Sequence, residues 1–126
     1  PVHHDGVVHH VAQSNNVYVF PGVGLGVLAV GARRVDDALF TEAARVVAEA
    51  SPATTAPGAP LLPPIAEVRT LSRRLAVAVG VRAIELGDAD PPAGVDPGDR
   101  RALEEAVARA VDARVWEPVY PHLVAA

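Results

Sequence analysis

The stretch Phe20-Pro21-Gly22-Val23-Gly24-Leu25-Gly26-Val27-Leu28-Ala29-Val30-Gly31 admits two readings, and the choice between them decides the fold. Glycines behind a short apolar run are the ingredients of a dinucleotide-binding turn, where they make the turn, admit a pyrophosphate and let helix and strand pack closely. Gly22 and Gly24 fit the first two places, but the third falls on Val27, and Pro21 makes the turn a different one. Proline at a first helical position and glycine just past the last one instead describe a helix that ends near Gly31. Its glycines then line a surface against which a neighbouring helix can pack closely.

Upstream of this helix, Val17-Tyr18-Val19-Phe20 is too short to be a helix by itself and is rich in strand formers. Ser14-Asn15-Asn16 before it is a polar turn. Between Pro1 and Gln13 the chain alternates loosely around Asp5-Gly6, a dipeptide suited to positive backbone dihedrals, so a short hairpin with Val7, Val8 and Val11 as strand formers is expected.

Downstream, Asp36 can cap a second helix ending near Ala50, with Val35 stapled onto Phe40 and an apolar face of Phe40, Ala43, Ala44 and Val47. Prolines 52, 57, 60, 63 and 64 make Ser51 to Pro64 a semi-rigid connection. A third helix follows, with Val68, Leu71, Leu75, Val79 and Leu86 at helical spacing. After a loop from Gly87 to Gly98, Asp96-Pro97 is expected to open a fourth helix whose face is Leu103, Val107, Ala110 and Val111. The tail from Val115 to Pro121 reads as extended, held by its prolines and anchored by Trp116. A little sheet followed by three or four helices fits the rear half of an α/β domain.

Composition narrows the function. Half of the 126 residues are apolar, and the net charge of -4 is scattered rather than blocked, which suits a folded domain without a basic face for nucleic acid. Arginines and prolines interrupt the apolar stretches well short of the roughly 20 residues a membrane span needs. No secretory signal pattern is evident, and the lack of cysteine leaves the cytoplasm as the default expectation. The sequence also contains no methionine, so the chain reads as a piece of something longer. It contains no lysine, so Schiff-base and lysine general-base chemistry must come from elsewhere.

Three groups of residues have candidate chemistry. His3, His4, His9 and His10 could bring imidazoles from two strands together on nickel or zinc, although no carboxylate or cysteine completes the set and a solvated hairpin accounts for them better. Asp36, Asp37, Asp88, Asp90 and Asp96 all stand where helices start or loops turn, where capping accounts for them. No serine lies in a recognisable nucleophile elbow. Asn15-Asn16 is different: neighbouring amides offer both donors and acceptors, suited to a carboxylate or a carboxamide in a preformed pocket, although turn-forming asparagines are common.

The run Gln13-Ser14-Asn15-Asn16-Val17-Tyr18-Val19-Phe20-Pro21-Gly22-Val23-Gly24-Leu25-Gly26 resembles the malic enzyme segment G-Q-x-N-N-x-x-x-F-P-G-x-G-L-G. The resemblance continues through Gly31 to Asp37, Leu61 to Ile65 and Trp116 to Tyr120, with Ala12 standing where glycine is usual. It implies residues 1–126 as the C-terminal segment of a Rossmann-type NAD(P)-binding domain, lacking the dinucleotide fingerprint and the catalytic part upstream. It further implies an enzyme that oxidises L-malate with NAD or NADP and decarboxylates it to pyruvate with the help of Mg2+ or Mn2+, commonly as a homo-oligomer. Asn15 and Asn16 would border malate and cofactor, while the tyrosine, lysine, arginine and metal-binding acids of the family lie upstream. No catalytic or metal-ligating residue is expected in this chain, which alone would be inactive. The competing possibilities are a non-catalytic binding or interaction domain derived from such an enzyme, and a metal-binding histidine hairpin.

Overall fold

The computed structural model describes residues 1–9, 11–117 and 119–120. Two strands, β1 (Val2–His4) and β2 (Val7–His9), pair antiparallel, with Val2 opposite His9, His3 opposite Val8 and His4 opposite Val7. Asp5 and Gly6 at the turn both have positive φ, 48° and 76°, as the Asp-Gly dipeptide predicted. The hairpin is exposed on both faces.

The described residues form four α-helices, α1 (Phe20–Val30), α2 (Asp37–Glu49), α3 (Val68–Glu85) and α4 (Arg100–Asp112). The expected strand formers do not make a strand: Asn16–Tyr18 is a 3-10 turn leading directly into α1. Local capping wins over strand propensity here, because the Asn15 side chain accepts a hydrogen bond from the Val17 amide at 3.0 Å and starts the turn. α1 stops where the sequence predicts, with Gly31 left-handed at φ 63° and its N–H bonded to the Val27 carbonyl.

α3 is the central helix, and α1, α2 and α4 all pack against it. Accordingly it buries more than one stripe: Val68, Leu71, Leu75 and Val79 as expected, and also Ala76, Gly80, Val81, Ala83 and Ile84. Leu86 ends the helix as its C-cap and is partly exposed rather than core. The glycines explain the close contact with α1. A Cβ on Gly26 would lie 2.5 Å from the Ala76 carbonyl oxygen, and one on Gly22 would lie 2.7 Å from the Leu75 Cβ, so side chains at either position would force the helices apart.

One helical face is rotated from that expected, and a second keeps its expected Leu103, Val107 and Val111 but adds Ala106. α2 buries Leu39, Ala43 and Val46, while Phe40 and Ala44 are exposed and Val35 is exposed as well, so the Val35 and Phe40 staple does not carry burial. Apolar residues at both 39–40 and 46–47 made the two registers equivalent in sequence, and the α2 contact with α3 selects one. In α4, Leu103, Ala106, Val107 and Val111 are buried and Ala110 only partly. That helix starts later than Asp96-Pro97, because Asp99 caps it through the Ala102 amide at 3.0 Å, while the Asp96 side chain is spent on the Gly98 amide at 2.8 Å.

The Pro-rich connection is ordered by short 3-10 turns at Pro52–Thr54 and Ile65–Glu67. Beyond α4, Trp116 is 67% exposed and meets Tyr120 edge-on at 6.0 Å, so it does not anchor the tail to the core. Instead Arg69 pairs with Glu117 across from α3. The contributions expected from Pro118 and Pro121 fall outside the described residues.

Candidate functional site

The two asparagines sit on a turn of fixed shape. The Tyr18 amide bonds the Asn15 carbonyl at 3.2 Å, the Val19 amide bonds the Asn16 carbonyl at 3.1 Å, and the Asn15 side-chain oxygen accepts from the Val17 amide. Both side chains are exposed. Asn15 therefore has an acceptor already engaged and a free NH2 to donate, whereas the Asn16 amide has no partner among the described residues and offers both donor and acceptor. A carboxylate accepts and does not donate, which suits Asn15; a carboxamide or hydroxyl, which does both, suits Asn16.

Tyr18 was legible in sequence only as part of an apolar run, yet it is what ties this turn down. Its ring is 3% exposed, and its hydroxyl donates to the Pro63 carbonyl at 2.8 Å. Beside it runs a groove lined by Gln13, Tyr18, Pro60, Leu62 and Ile65, apolar apart from a few groups, which is the usual character of a small-molecule wall.

A more polar cleft lies between α2, α3 and α4, lined by Glu42, Arg45, Arg82, Glu85 and Arg100. Its arginines are spent on neighbouring acids: Arg45 on Glu42 and Glu49, Arg82 on Glu85, and Arg100 on Glu85 and Glu104. The hydrogen bond from Arg45 holds the Glu42 carboxyl below its usual value, and the one from Arg73 does the same for Asp112. Most of these pairs lie within one helix, Arg100 to Glu85 and Arg73 to Asp112 brace α4 against α3, and the arginines are engaged rather than open to an anion.

The acids expected to cap helices and turns divide. Asp36 caps α2 through the Ala38 and Leu39 amides, as expected. Asp88 and Asp90 are held differently, by the pair of arginines that follows α1. Arg33 donates to the Gly87 carbonyl at 2.8 Å and to Asp90 at 3.0 Å, and its amide bonds the Asp88 carbonyl at 2.8 Å. Arg34 pairs with Asp88, which is buried and whose second carboxyl oxygen has no hydrogen-bond partner among the described residues. Sequence spacing gave no signal of this clamp.

The histidines do not converge as a set. The register places His4 and His9 on one face of the hairpin and His3 on the other, while His10 lies outside the described residues. His4 is 3.5 Å from Asp5, and both are largely exposed. Among the described residues no three His, Asp or Glu side chains could hold a metal ion together. Nor is any helix among them long and apolar enough to cross a membrane.

The described residues form a bundle around one central helix, with an exposed amide turn held at the head of α1. Residues 1–84 match the family described as malic enzyme, NAD binding domain, and the chain belongs to that family. It is 42% identical over 120 residues to the NAD-dependent malic enzyme of Vibrio campbellii, 40% to that of Aliivibrio fischeri and 39% to that of a Shewanella species. In each case the match takes in 95% of this chain and 20% of the relative, so the chain spans about one fifth of the length of these enzymes.

Proposed function

We propose that this chain is the C-terminal segment of the Rossmann-type NAD-binding domain of a cytoplasmic malic enzyme, and that its part in the reaction is to present Asn15 and Asn16 to L-malate and the nicotinamide. The observation that carries the reading is the amide turn itself: two exposed amides on a capped, hydrogen-bonded turn, in a chain of the malic enzyme family. The complete polypeptide would oxidise malate at C2, release CO2 and leave pyruvate. NAD is favoured over NADP by the names of the relatives. Bound NAD would supply the acceptor for the hydride from C2.

What the residues of this chain do is bind and orient. Asn15 donates its free NH2 to a malate carboxylate oxygen, and Asn16 meets a group that both donates and accepts, the C2 hydroxyl or the carboxamide of the nicotinamide. Holding the two reactants by neighbouring amides on one rigid turn sets their relative position, which is where much of the rate of a hydride transfer is gained. The chain has no lysine, so a lysine base would come from the remainder of the polypeptide, and the Tyr18 hydroxyl is already engaged by the Pro63 carbonyl. The described residues do not fit Mg2+ or Mn2+, and no step is assigned to a metal on them. The remainder of the polypeptide is the partner this reading requires, with a homo-oligomer as the complete form.

The test is malate-dependent reduction of NAD and NADP by the full-length protein and by its Asn15→Ala and Asn16→Ala variants. Asn16→Ala should raise the malate requirement or lower turnover without unfolding the domain, because an exposed loop amide contributes little to a core. Unchanged kinetics in both variants would remove the assignment.

A further inference from the structure

We propose that Tyr18 and the Pro63 carbonyl form a lock that positions the Asn15-Asn16 turn, making Tyr18 a positioning residue for malate turnover. The inference rests on the reading of Asn15 and Asn16 given above. Residues 13–16 are exposed, so burial does not hold the amides themselves in place. What is buried is the residue that closes their turn. Tyr18 is bonded through its amide to the Asn15 carbonyl and sits within the core, and its hydroxyl reaches the Pro63 carbonyl at 2.8 Å, 45 residues further along the chain.

The acceptor side is equally restrained. Pro63 is buried and is followed by Pro64, so the backbone around the accepting carbonyl has little freedom, and the Glu67 amide bonds the Pro64 carbonyl at 2.9 Å to lead straight into α3. One hydrogen bond thus joins the amide turn to the start of the central helix. A buried core tyrosine needs a partner for its hydroxyl but does not need that partner to lie on the segment walling a groove that Gln13 and Tyr18, on either side of the amides in the chain, also line. This one does, and the consequence is that the groove wall and the two amides move as a unit. Amides that must meet a substrate within a fraction of an ångström gain from such a tether, because a misplacement of about 1 Å can cost on the order of a hundredfold in rate.

Tyr18→Phe in the full-length enzyme keeps the ring and removes the lock. It should lower kcat/KM for malate by about tenfold, within the range that small misplacements produce. The same substitution made in an Asn15→Ala/Asn16→Ala background should change kcat/KM by less than about twofold, since a residue that acts through the amides has nothing left to position. An equal loss in both backgrounds means that Tyr18 serves only the core and overturns the proposal, as does full activity of Tyr18→Phe while the asparagine variants are impaired. Unimpaired asparagine variants instead overturn the underlying site assignment and take the lock with it. Where Tyr18→Phe does not accumulate as folded enzyme, Pro64→Gly loosens the acceptor side at an exposed position, and the same two-background comparison decides.

Discussion

Alanine substitution of two glycines in one helix should have opposite effects. Gly24 and Gly26 both lie inside α1, and replacing either by alanine restores helix propensity, a gain of about 1 kcal/mol. A Cβ on Gly24 meets nothing within 4 Å, so Gly24→Ala keeps the whole gain. A Cβ on Gly26 lies 2.5 Å from the Ala76 carbonyl oxygen and 3.1 Å from its Cα. Both neighbours are backbone of α3, which cannot swing aside as a side chain would, so α1 and α3 must separate. Overpacking of this kind costs about 3 kcal/mol at the upper end of its usual range, which leaves Gly26→Ala destabilised by about 2 kcal/mol net. Urea unfolding of the 126-residue chain, followed by far-ultraviolet circular dichroism, reads both. With a slope of about 2 kcal/mol per molar, the midpoint rises by about 0.5 M for Gly24→Ala and falls by about 1 M for Gly26→Ala. A Gly26→Ala chain as stable as the parent would refute the argument that these glycines are there for helix contact.

Arg34→Ala leaves the buried Asp88 carboxylate without its ion pair and should destabilise the chain by about 1–2 kcal/mol, less than for a fully buried pair because Arg34 is mostly exposed. In an Asp88→Asn background the same change should cost under about 0.5 kcal/mol, and equal costs in both backgrounds would deny the pairing. Acid should also weaken the fold. Asp112 and Glu42 have carboxyl pKa values lowered in the folded state by Arg73 and Arg45, so their stabilisation is present above the ordinary carboxylate range and is lost as pH falls through their folded values. The urea midpoint should therefore be level from neutrality to about pH 5.5 and drop below about pH 4, with a shallower drop in Asp112→Asn; an identical drop would exclude Asp112 as a contributor.

The parts of this fold that could be read from sequence are those set by a single residue's chemistry. Asp5-Gly6 makes a hairpin because both positions take positive φ, Gly31 ends a helix for the same reason, and Asp36 caps one because its carboxylate reaches two amides. Where two neighbouring residues could do the same job, the sequence left the choice open. Leu39 and Phe40 are both large and apolar, Asp96 and Asp99 can both cap, and only the approach of α3 in the first case and the length of a loop in the second separate them. Trp116 is large yet exposed, since size alone does not bury a side chain, and the tail meets α3 through the Arg69 to Glu117 pair.

The site divides along the same line, and that division says how it is built. The residues proposed to touch a ligand are neighbours in the chain, so Asn15 and Asn16 stand out as a pair and carry the family resemblance with them. What holds them is distant in sequence, since Tyr18 and Pro63 are 45 residues apart, just as Arg34 and Asp88, which pair beyond the other end of α1, come together only when α1 and the end of α3 are packed. Neither contact has a periodicity or spacing of its own. Of the two glycines that fit a pyrophosphate turn, Gly22 belongs to this second group together with Gly26, whereas Gly24 faces open space. Gly22 and Gly26 touch α3 rather than a phosphate, and by letting α1 lie close against α3 they bring the head of α1 to the segment that carries Pro63. A wider spacing between the two helices would lengthen the Tyr18 hydrogen bond from 2.8 Å, so helix contact and amide placement depend on the same glycines.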